Sequence, residues 1–328
     1  MKILIIRLSS LGDIVLTQPV TAVLREKYPQ AQLDFLTKPQ FTQLVEAFGT
    51  IDKIYTTADN LKLIPKLRKN EYDIIIDLQA KLNSFLLKTI TAGQKTVTYN
   101  KKHILRQKIV KNKTSETISS TVELYFTALE KLGIEAKIRP PKLIPTSIKK
   151  YGVLTFLPDL KKGDTKLVGI FPGAKHFTKQ YPFWNYAKAM ELAPKNFKFV
   201  ILGSAEDTNL ATKINERCQQ EILDLTGKLN LQELISVVNI LDAVVSNDSG
   251  PMHIAAALQK PQVAIFGATH PALGFAPMNK KAIALSLDLE CQPCSLHGEP
   301  FCPKAHFRCL NSLLPESVTN ALKKVVEK

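Results

Sequence analysis

The stretch that decides the fold is residues 2–24, KILIIRLSSLGDIVLTQPVTAVL. The apolar run KILIIR (2–7) predicts a buried strand, and a polar loop follows it. Beyond the loop, four apolar residues recur at helical spacing and share one face: Leu16, Val20, Val23 and Leu24. Strand, loop and helix in this order form the first part of a βαβ unit, from which parallel sheets are built.

The same alternation of short β-branched runs and helical patterns continues along the chain. Further strands are predicted at 32–37, 72–78, 95–99, 166–172, 197–203, 242–247 and 261–267. A further helical face is formed by Leu234, Val237, Val238 and Leu241. Apolar strands with few polar interruptions are typical of parallel sheets that helices cover on both faces. The fold class is therefore predicted to be α/β.

The length and the composition suit two domains. The chain has 328 residues, of which 45% are hydrophobic, enough for two ordinary cores. The alternation is interrupted at 139–166, which holds four prolines and many lysines, so we place the domains at 1–150 and 151–312. Arg7 breaks the first apolar run too early for a signal peptide, and no later run suggests a membrane span. We therefore expect a cytoplasmic protein.

Positive charge is concentrated in the first half. The net charge is +15, and residues 1–150 hold 25 Lys and Arg against 13 Asp and Glu. The segment 78–115 contains no acid but many bases, among them Lys81 and Arg106. Such a distribution favours an anionic partner or, equally, a solvated lysine-rich surface. No nucleic-acid recognition motif accompanies it, so we do not expect a nucleic-acid partner.

Two loops that follow strands carry residues suited to a phosphate. In SNDSGPMHIAAAL (246–258), Asp248 or Ser249 can cap a helix, and Gly250 lets a ligand approach free backbone N–H groups. His253, one turn into the helix, can reach a phosphate or a sugar hydroxyl, although a lone histidine is often structural. The alternative is a well-capped helix with no ligand.

The other phosphate-type loop is FPGAKHFTKQYP (171–182). Its small residues Gly173 and Ala174 permit close backbone approach, and Lys175 and Lys179 bring positive charge. An ammonium beside a diphosphate stabilises the charge that grows as the diphosphate leaves. A solvated basic loop is the weaker alternative.

Two further loops are weaker candidates. In GSAED (203–207), Glu206 or Asp207 can accept hydrogen bonds from ribose hydroxyls, or can simply favour a helix N-terminus. In LTGKLNLQEL (225–234), Leu229 can press on a base.

Asp13 poses a separate question. It lies in the loop after the first strand, where a phosphate often binds, but a carboxylate there would repel an anion. Asp13 is therefore either a helix-capping acid or a group that acts on a ligand other than a phosphate.

The cysteines form one late cluster. Cys291, Cys294, Cys302 and Cys309 lie within nineteen residues, with His297 and His306 nearby. Four soft ligands could form a zinc site, but only the first pair has the usual metal-knuckle spacing. We expect reduced, packed thiols instead, and Cys218 is interpreted as apolar packing on a helix.

Taken together, IIRLSSLGDIVLTQPV, FPGAKHFTKQYP, VVSNDSGPMHIAAAL and FGATHP resemble glycosyltransferase family 9, the ADP-heptose:lipopolysaccharide heptosyltransferases. The late CQPC…CPKAHFRC segment is similar to one seen in many members. The resemblance implies a GT-B fold, with two Rossmann-like α/β/α domains facing a central cleft, an acceptor site in the first and a nucleotide-sugar site in the second. It also implies that a final helix at about 313–328 can pack back on the first domain.

The resemblance implies a role for each matching position. Asp13 becomes the general base, and Lys179 a catalytic residue at the ADP phosphates. Donor binding is expected from Gly173, Ala174, Lys175, Lys179, Asp207, Leu229, Asp248, Ser249, Gly250 and His253. Acceptor binding is expected from Ser10, Gly12, Lys81 and Arg106. Two positions depart from the family pattern: Ala80 stands where D-x-Q-G has glycine, and Lys175 stands where some members have a small polar residue.

The implied function is an inverting, metal-independent transfer of heptose from ADP-heptose to a Kdo or heptose hydroxyl of the lipopolysaccharide inner core. No cofactor is expected, and the partners are the nucleotide sugar, a Kdo–lipid A acceptor and an anionic inner-membrane surface. The protein is then peripheral on the cytoplasmic face of that membrane. The alternatives are the same fold with another nucleotide sugar or acceptor, and a non-catalytic nucleotide-sugar or glycan-binding protein.

Overall fold

The computed structural model describes residues 1–58, 60–114, 116–147, 157–161 and 163–327. It divides into two compact units, one formed by Met1–Lys102 with Ser120–Ile144 and the other by His103–Ser119 with Pro145–Lys328. The boundary that we expected at 150/151, and part of the segment 139–166, lie outside the described residues.

Residues 103–119 belong to the second unit, whereas the sequence led us to place them in the first. The contacts explain the difference. The Ile118 N–H donates to the Ala272 carbonyl (2.9 Å), and the Lys113 ammonium donates to the Pro293 carbonyl. These bonds attach the segment to loops of the second unit.

The first unit is built on a five-stranded parallel sheet with the order β3-β2-β1-β4-β5. Its strands are β1 (Lys2–Ile6), β2 (Gln32–Thr37), β3 (Lys53–Thr56), β4 (Ile74–Asp77) and β5 (Lys95–Thr98). Its helices are α1 (Leu11–Val15), α2 (Gln18–Lys27), α3 (Thr42–Glu46), α4 (Asn60–Lys69), α5 (Leu82–Thr91) and α7 (Thr121–Glu130).

The second unit is built on a six-stranded parallel sheet with the order β11-β10-β9-β6-β7-β8. Its strands are β6 (Lys166–Phe171), β7 (Phe197–Ile201), β8 (Ile222–Asp224), β9 (Ala243–Asn247), β10 (Gln262–Ile265) and β11 (Ala282–Leu285). Its helices are α6 (His103–Asn112), α8 (Phe183–Glu191), α9 (Thr208–Arg217), α10 (Leu231–Ile240), α11 (Gly250–Ala257), α12 (Arg308–Asn311) and α13 (Pro315–Val326).

The central strands of both sheets are buried, which is why they are apolar along their length. In β1, Ile3, Leu4, Ile5 and Ile6 have no exposed surface, and β9 and β10 are buried at every position. Because helices cover both faces of each sheet, apolar residues do not alternate with polar ones along these strands. The α/β fold class predicted from the sequence is confirmed.

The final helix α13 packs on α8 and on strands β9 and β10. Its buried residues Val318, Leu322 and Val325 belong to the core of the second unit. That this helix can also pack back on the first domain stays a prediction.

None of the helices in the described part of the chain has the length and apolar content needed to cross a membrane.

Candidate functional site

Each sheet has one point at which the strand order reverses. In the first unit it lies between β1 and β4, and in the second unit between β6 and β9. At such a point the loops that leave the two strands diverge, and ligands of open α/β sheets bind in the crevice beyond the strand ends. The first unit places Asp13 after β1, and the second unit places Gly173 after β6 and Asp248 after β9.

The Asp13 carboxylate is held by three residues of its own unit. The Arg7 guanidinium lies 2.9 Å from Oδ1, and the Tyr125 hydroxyl donates to the same oxygen at 3.4 Å. The Ser10 hydroxyl donates to Oδ2 at 2.7 Å, and the Ser10 N–H donates to it at 3.2 Å. About a fifth of the side chain (21%) remains exposed. Asp13 is the third residue of α1 and forms a capping box with the N-cap residue Ser10, so it is a helix-capping acid. Its carboxylate is fixed in place.

Arg7 is buried and fixed in turn. Its guanidinium donates to the Leu78 carbonyl and lies 5.5 Å from the centre of the Tyr125 ring. Burial acts to lower the pKa of Arg7, but the charges of Tyr125 and Asp13 outweigh it and raise the pKa above its ordinary value. Arg7 therefore stays charged beside Asp13. The sequence analysis did not identify Arg7 or Tyr125 as site residues, although an arginine within an apolar strand pattern is a usable signal.

The loop after β4 supports the loop after β1. The Gln79 side-chain oxygen accepts from the N–H groups of Leu8 (3.0 Å) and Ser9 (3.2 Å). Asp77 holds this second loop by accepting from the Gln79 and Ala80 N–H groups, both at 2.9 Å. The two loops at the switch point are thus tied together by polar side chains.

The expected acceptor residues do not all meet at Asp13. Ser10 and Gly12 flank it, and Lys81 is an exposed residue at the N-terminus of α5, after the Asp77 loop. Arg106 is placed differently, because it is buried in α6 and belongs to the second unit. Its guanidinium lies 4.9 Å from the centre of the Phe275 ring. This placement corrects our assignment of Arg106 to the first domain.

In the second unit, Lys179 and Asp248 form an ion pair. The Lys179 ammonium lies 2.9 Å from Asp248 Oδ2, and the Thr269 hydroxyl donates to the same oxygen at 2.7 Å. The two charged side chains are only 15% and 7% exposed. The structure thus brings the loop after β6 together with the loop after β9. Thr269 lies in the FGATHP motif, but sequence reasoning gave it no role.

Asn247, the last residue of β9, fixes the same loop. Its side-chain oxygen accepts from the Tyr181 N–H and from the Tyr186 hydroxyl, both at 3.0 Å. Its amide donates to the Pro172 carbonyl at 2.7 Å. Asn247 is fully buried, so these bonds set the path of the chain that carries Gly173 and Lys179.

Helix α11 begins at Gly250, with Pro251 as its second residue and Ser249 before it. The Ser249 hydroxyl is buried, and within the described ranges it has no hydrogen-bond partner. It therefore does not cap the helix, and Asp248 is used by Lys179 and Thr269 instead. The first N–H groups of α11 and the Ser249 hydroxyl remain suited to an anion. His253 is buried one turn into the helix.

Gly173 and Gly203 make room for Asp207. A methyl group added at Gly173 would lie 2.0 Å from Asp207 Oδ1, and one added at Gly203 would lie 2.7 Å from Oδ2. Oδ2 also accepts from the Ser204 N–H (2.8 Å) and hydroxyl (2.9 Å). Asp207 is thus a capping acid placed directly against the ends of β6 and β7.

The remaining donor candidates lie in loops at the same end of the second sheet. The Ala174 carbonyl accepts from the Gln180 side chain at 2.7 Å, and Lys175 is exposed. Leu229 is half-buried in the loop after β8. In this loop the Gly227 N–H donates a hydrogen bond to the Gly203 carbonyl at 3.0 Å. Their roles as donor contacts stay predictions.

All five cysteines are free thiols. Burial raises the pKa of Cys294 to about 11, with a further contribution from the neighbouring Cys291, and raises that of Cys309 to about 12. The pKa of Cys302 is lowered, because backbone N–H groups such as that of Phe307 outweigh the effect of burial. Cys218 is buried, as expected.

The zinc alternative for Cys291, Cys294, Cys302 and Cys309 stays a prediction. In the part of the chain that the structure describes, no group of three or more His, Cys, Asp or Glu side chains is arranged to hold a metal ion.

Comparison with known proteins supports the same family as the motifs. The family model of glycosyltransferase family 9 (heptosyltransferase) matches residues 60–304. Lipooligosaccharide heptosyltransferase 2 of Campylobacter jejuni is 27% identical over 338 residues, covering 99% of each chain. Lipopolysaccharide heptosyltransferase 2 of Escherichia coli K12 is 27% identical over 316 residues, covering 88% of each chain.

A solved structure extends the likeness to the fold. The E. coli ADP-heptose lipopolysaccharide heptosyltransferase II superposes with a TM-score of 0.80 at 24% identity, covering 100% of this chain and 99% of that one. The two α/β units are thus those of a GT-B glycosyltransferase. The family model spans most of the chain, including the loops that hold Lys179 and Asp248, and the chain belongs to glycosyltransferase family 9, the heptosyltransferases.

Proposed function

We propose that this protein transfers heptose from ADP-heptose to a Kdo or heptose hydroxyl of the lipopolysaccharide inner core, with inversion at the sugar carbon. Relatives similar along the whole chain are heptosyltransferases of lipooligosaccharide or lipopolysaccharide, which supports the donor and the acceptor. The observation that carries the chemistry is the Asp13 carboxylate, fixed by Arg7, Ser10 and Tyr125 and still partly exposed.

Asp13 acts as the general base. Its carboxylate takes the proton of the acceptor hydroxyl while that oxygen bonds to C1 of the heptose. The bond between C1 and the ADP oxygen breaks on the opposite face, and positive charge builds on the sugar ring. A base must be deprotonated beforehand, and the Arg7 guanidinium stabilises that form of Asp13.

Lys179 and the N-terminus of α11 stabilise the departing ADP. The diphosphate gains negative charge as the C1–O bond breaks, and a fixed ammonium and free N–H groups stabilise it most at that moment. The Ser249 hydroxyl adds a donor, and Asp248 keeps the ammonium in position until the diphosphate binds. This assignment uses no metal, so a chelator is expected to leave the rate unchanged.

The proposed acceptor also indicates where in the cell this protein works. Kdo–lipid A is anchored in a membrane and carries carboxylates and phosphates, which suit the basic first half of the chain. We place the protein in the cytoplasm, peripheral on the inner face of the cytoplasmic membrane.

The proposal is tested by incubating the protein with ADP-heptose and two acceptors, Kdo–lipid A and its heptosylated form. ADP release and the mass of the product are measured together, with and without EDTA. One added heptose with equimolar ADP is expected from one of the acceptors. ADP release only with a different nucleotide sugar would replace the donor, and no release with any donor would favour a non-catalytic binding protein.

A further inference from the structure

Helix α5 of the first unit exposes an apolar face. Leu82, Phe85, Leu86 and Ile90 are 71%, 53%, 49% and 38% exposed. Their spacing places them on one side of the helix, within an arc of about 140° at 100° per residue. Such contiguous apolar surface is uncommon on a soluble domain and indicates an interaction site.

The opposite side of α5 is already used. Ser84 and Thr91 are buried, and Leu87 packs against a core cluster that contains Leu63 and Leu67 of α4. Helix α5 therefore packs on the core of the unit through its inner side. Its exposed apolar residues are not core residues that lack their packing.

The surroundings of this face are cationic. Residues 60–70 and 78–114 contain no aspartate or glutamate. Helix α4, which packs against α5, exposes Lys66, Arg68 and Lys69. Lys81 and Lys95 are exposed at the two ends of the α5 segment. Exposed apolar side chains with exposed bases on the neighbouring helix match the surface of an anionic bilayer, whose acyl boundary takes the apolar residues and whose headgroups attract the bases.

The charge also argues against a second copy of this chain as the partner. In a two-fold dimer the same patch would face itself, which would bring the lysines of α4 and α5 against one another. Four side chains of one ten-residue helix are also a small patch beside the roughly 800 Å² per partner that stable protein interfaces bury.

We propose that the face formed by Leu82, Phe85, Leu86 and Ile90 inserts into the headgroup layer of an anionic phospholipid bilayer, and that the exposed bases of α4 and of the ends of α5 attract the headgroups. The expectation of a membrane-anchored acceptor rests on the proposed function, whereas the surface follows from the exposure and charge of α4 and α5.

The test measures binding to vesicles that contain no lipopolysaccharide. Wild-type protein is mixed with phosphatidylglycerol–phosphatidylethanolamine vesicles or with neutral phosphatidylcholine vesicles, and the bound fraction is measured by flotation. We expect Leu82→Gln/Phe85→Gln to weaken binding to the anionic vesicles by about tenfold or more, since each change removes an inserting apolar side chain. Lys66→Gln/Lys69→Gln is expected to weaken the same binding and to make it less sensitive to salt.

The matched control is Ile138→Gln/Trp184→Gln, which removes two exposed apolar side chains elsewhere and is expected to bind as wild type does. Transfer to a water-soluble, delipidated acceptor is expected to be unchanged in Leu82→Gln/Phe85→Gln, which also shows that the variant folds. If that variant is poorly folded, the lysine variant decides the question alone.

Three results would overturn the proposal. They are unchanged anionic-vesicle binding in the variants, equal binding of wild type to neutral vesicles, and a wild-type dimer in sedimentation that Leu82→Gln/Phe85→Gln converts to monomer. Failure of the proposed function is distinguishable, because it would abolish ADP release by wild type on the soluble acceptor and leave vesicle binding intact.

Discussion

The two switch-point acids, Asp13 and Asp248, have different basic partners. Asp13 is paired with Arg7, whose guanidinium is also bound to a backbone carbonyl, so the pair is fixed. Asp248 is paired with Lys179, whose compact ammonium on a flexible stem can turn from a carboxylate to a phosphate. In the proposed mechanism, the arginine therefore positions the base, and the lysine changes partners when the diphosphate binds.

Asp13→Asn is expected to reduce kcat by about 10²–10⁴, because the amide cannot take the acceptor proton. Affinity for ADP is expected to stay close to the wild-type value, since Asp13 lies in the other unit from the proposed donor site. Steady-state ADP release and calorimetric ADP titration measure the two quantities. Glu26→Gln serves as the control, since it makes the same carboxylate-to-amide change at an exposed position of the same unit and is expected to keep the wild-type kcat. A wild-type kcat in Asp13→Asn would show that Asp13 is not the general base.

Lys179→Met is expected to lower both stability and ADP affinity. Removing one partner of a largely buried pair leaves the Asp248 carboxylate without its counter-charge, at a cost of about 3 kcal/mol in the free energy of unfolding. The loss of a charged contact to phosphate weakens ADP binding by roughly tenfold or more. Urea unfolding and calorimetry provide the two readouts.

The double variant Lys179→Met/Asp248→Asn separates the two effects. Without the unpaired carboxylate, most of the stability is expected to return, while ADP affinity stays low. Recovery of both would mean that Lys179 acts only by neutralising Asp248.

At the scale of elements, the strands missed by sequence reasoning all lie at sheet edges, whereas the edge strand β5 was predicted. Strands β3, β8 and β11 were not predicted, and each lies at an edge of its sheet. They are three or four residues long and largely half-buried, so they lack the continuous apolar run of a central strand. The first helical pattern also divides into α1 and α2, with a break at Leu16 and Thr17.

Ala80 provides a test at the scale of one loop. Its φ of +49° lies in the left-handed region, where a side chain costs about 1 kcal/mol and glycine costs nothing. The greater freedom of glycine in the unfolded chain cancels part of this gain. Ala80→Gly is therefore expected to raise the free energy of unfolding by only about 0.5 kcal/mol. Ala22→Gly in α2, at an ordinary helical position, is the control and is expected to lower it by about 1 kcal/mol. Urea unfolding measures both, and equal effects at the two sites would contradict the argument.

At the scale of the molecule, pattern alone predicted two α/β units, the central strands and the loops that carry the candidate site. Tyr125 and Asn247 as supports could not be predicted, because their partners Asp13 and Pro172 are distant in sequence and meet them only in the folded unit. Arg7 was missed although its partner Asp13 lies in the loop that directly follows the first strand. Arg106 was placed in the wrong unit, since nothing local in 103–119 indicates which sheet it packs on. The local sequence pattern thus predicts where strands end and loops begin. Which of these segments belong to the same unit depends on tertiary contacts.

Asp34, which is buried in β2, is expected to make the stability of the first unit depend on pH. Burial raises the pKa of this carboxyl, although the Tyr72 hydroxyl (2.7 Å) and Gln32 donate hydrogen bonds to it. A raised pKa in the folded state means that the folded protein holds its proton to a higher pH than the unfolded chain does. Wild-type stability relative to Asp34→Asn is therefore expected to fall as pH rises from about 4 towards neutrality.

Thermal midpoints of the two proteins at several pH values measure this difference. A wild-type advantage that grows with pH would contradict the argument.

The contact between Gly173 and Asp207 also constrains how this chain can change over generations. An alanine at Gly173 would place its methyl carbon 2.0 Å from Asp207 Oδ1, and one at Gly203 would lie 2.7 Å from Oδ2, so either change requires the carboxylate to turn away. Turning it away breaks the bonds that Oδ2 accepts from the Ser204 N–H and hydroxyl. A lineage in which residue 207 has already lost its carboxylate gives up no such bonds, so the order in which these positions mutate matters.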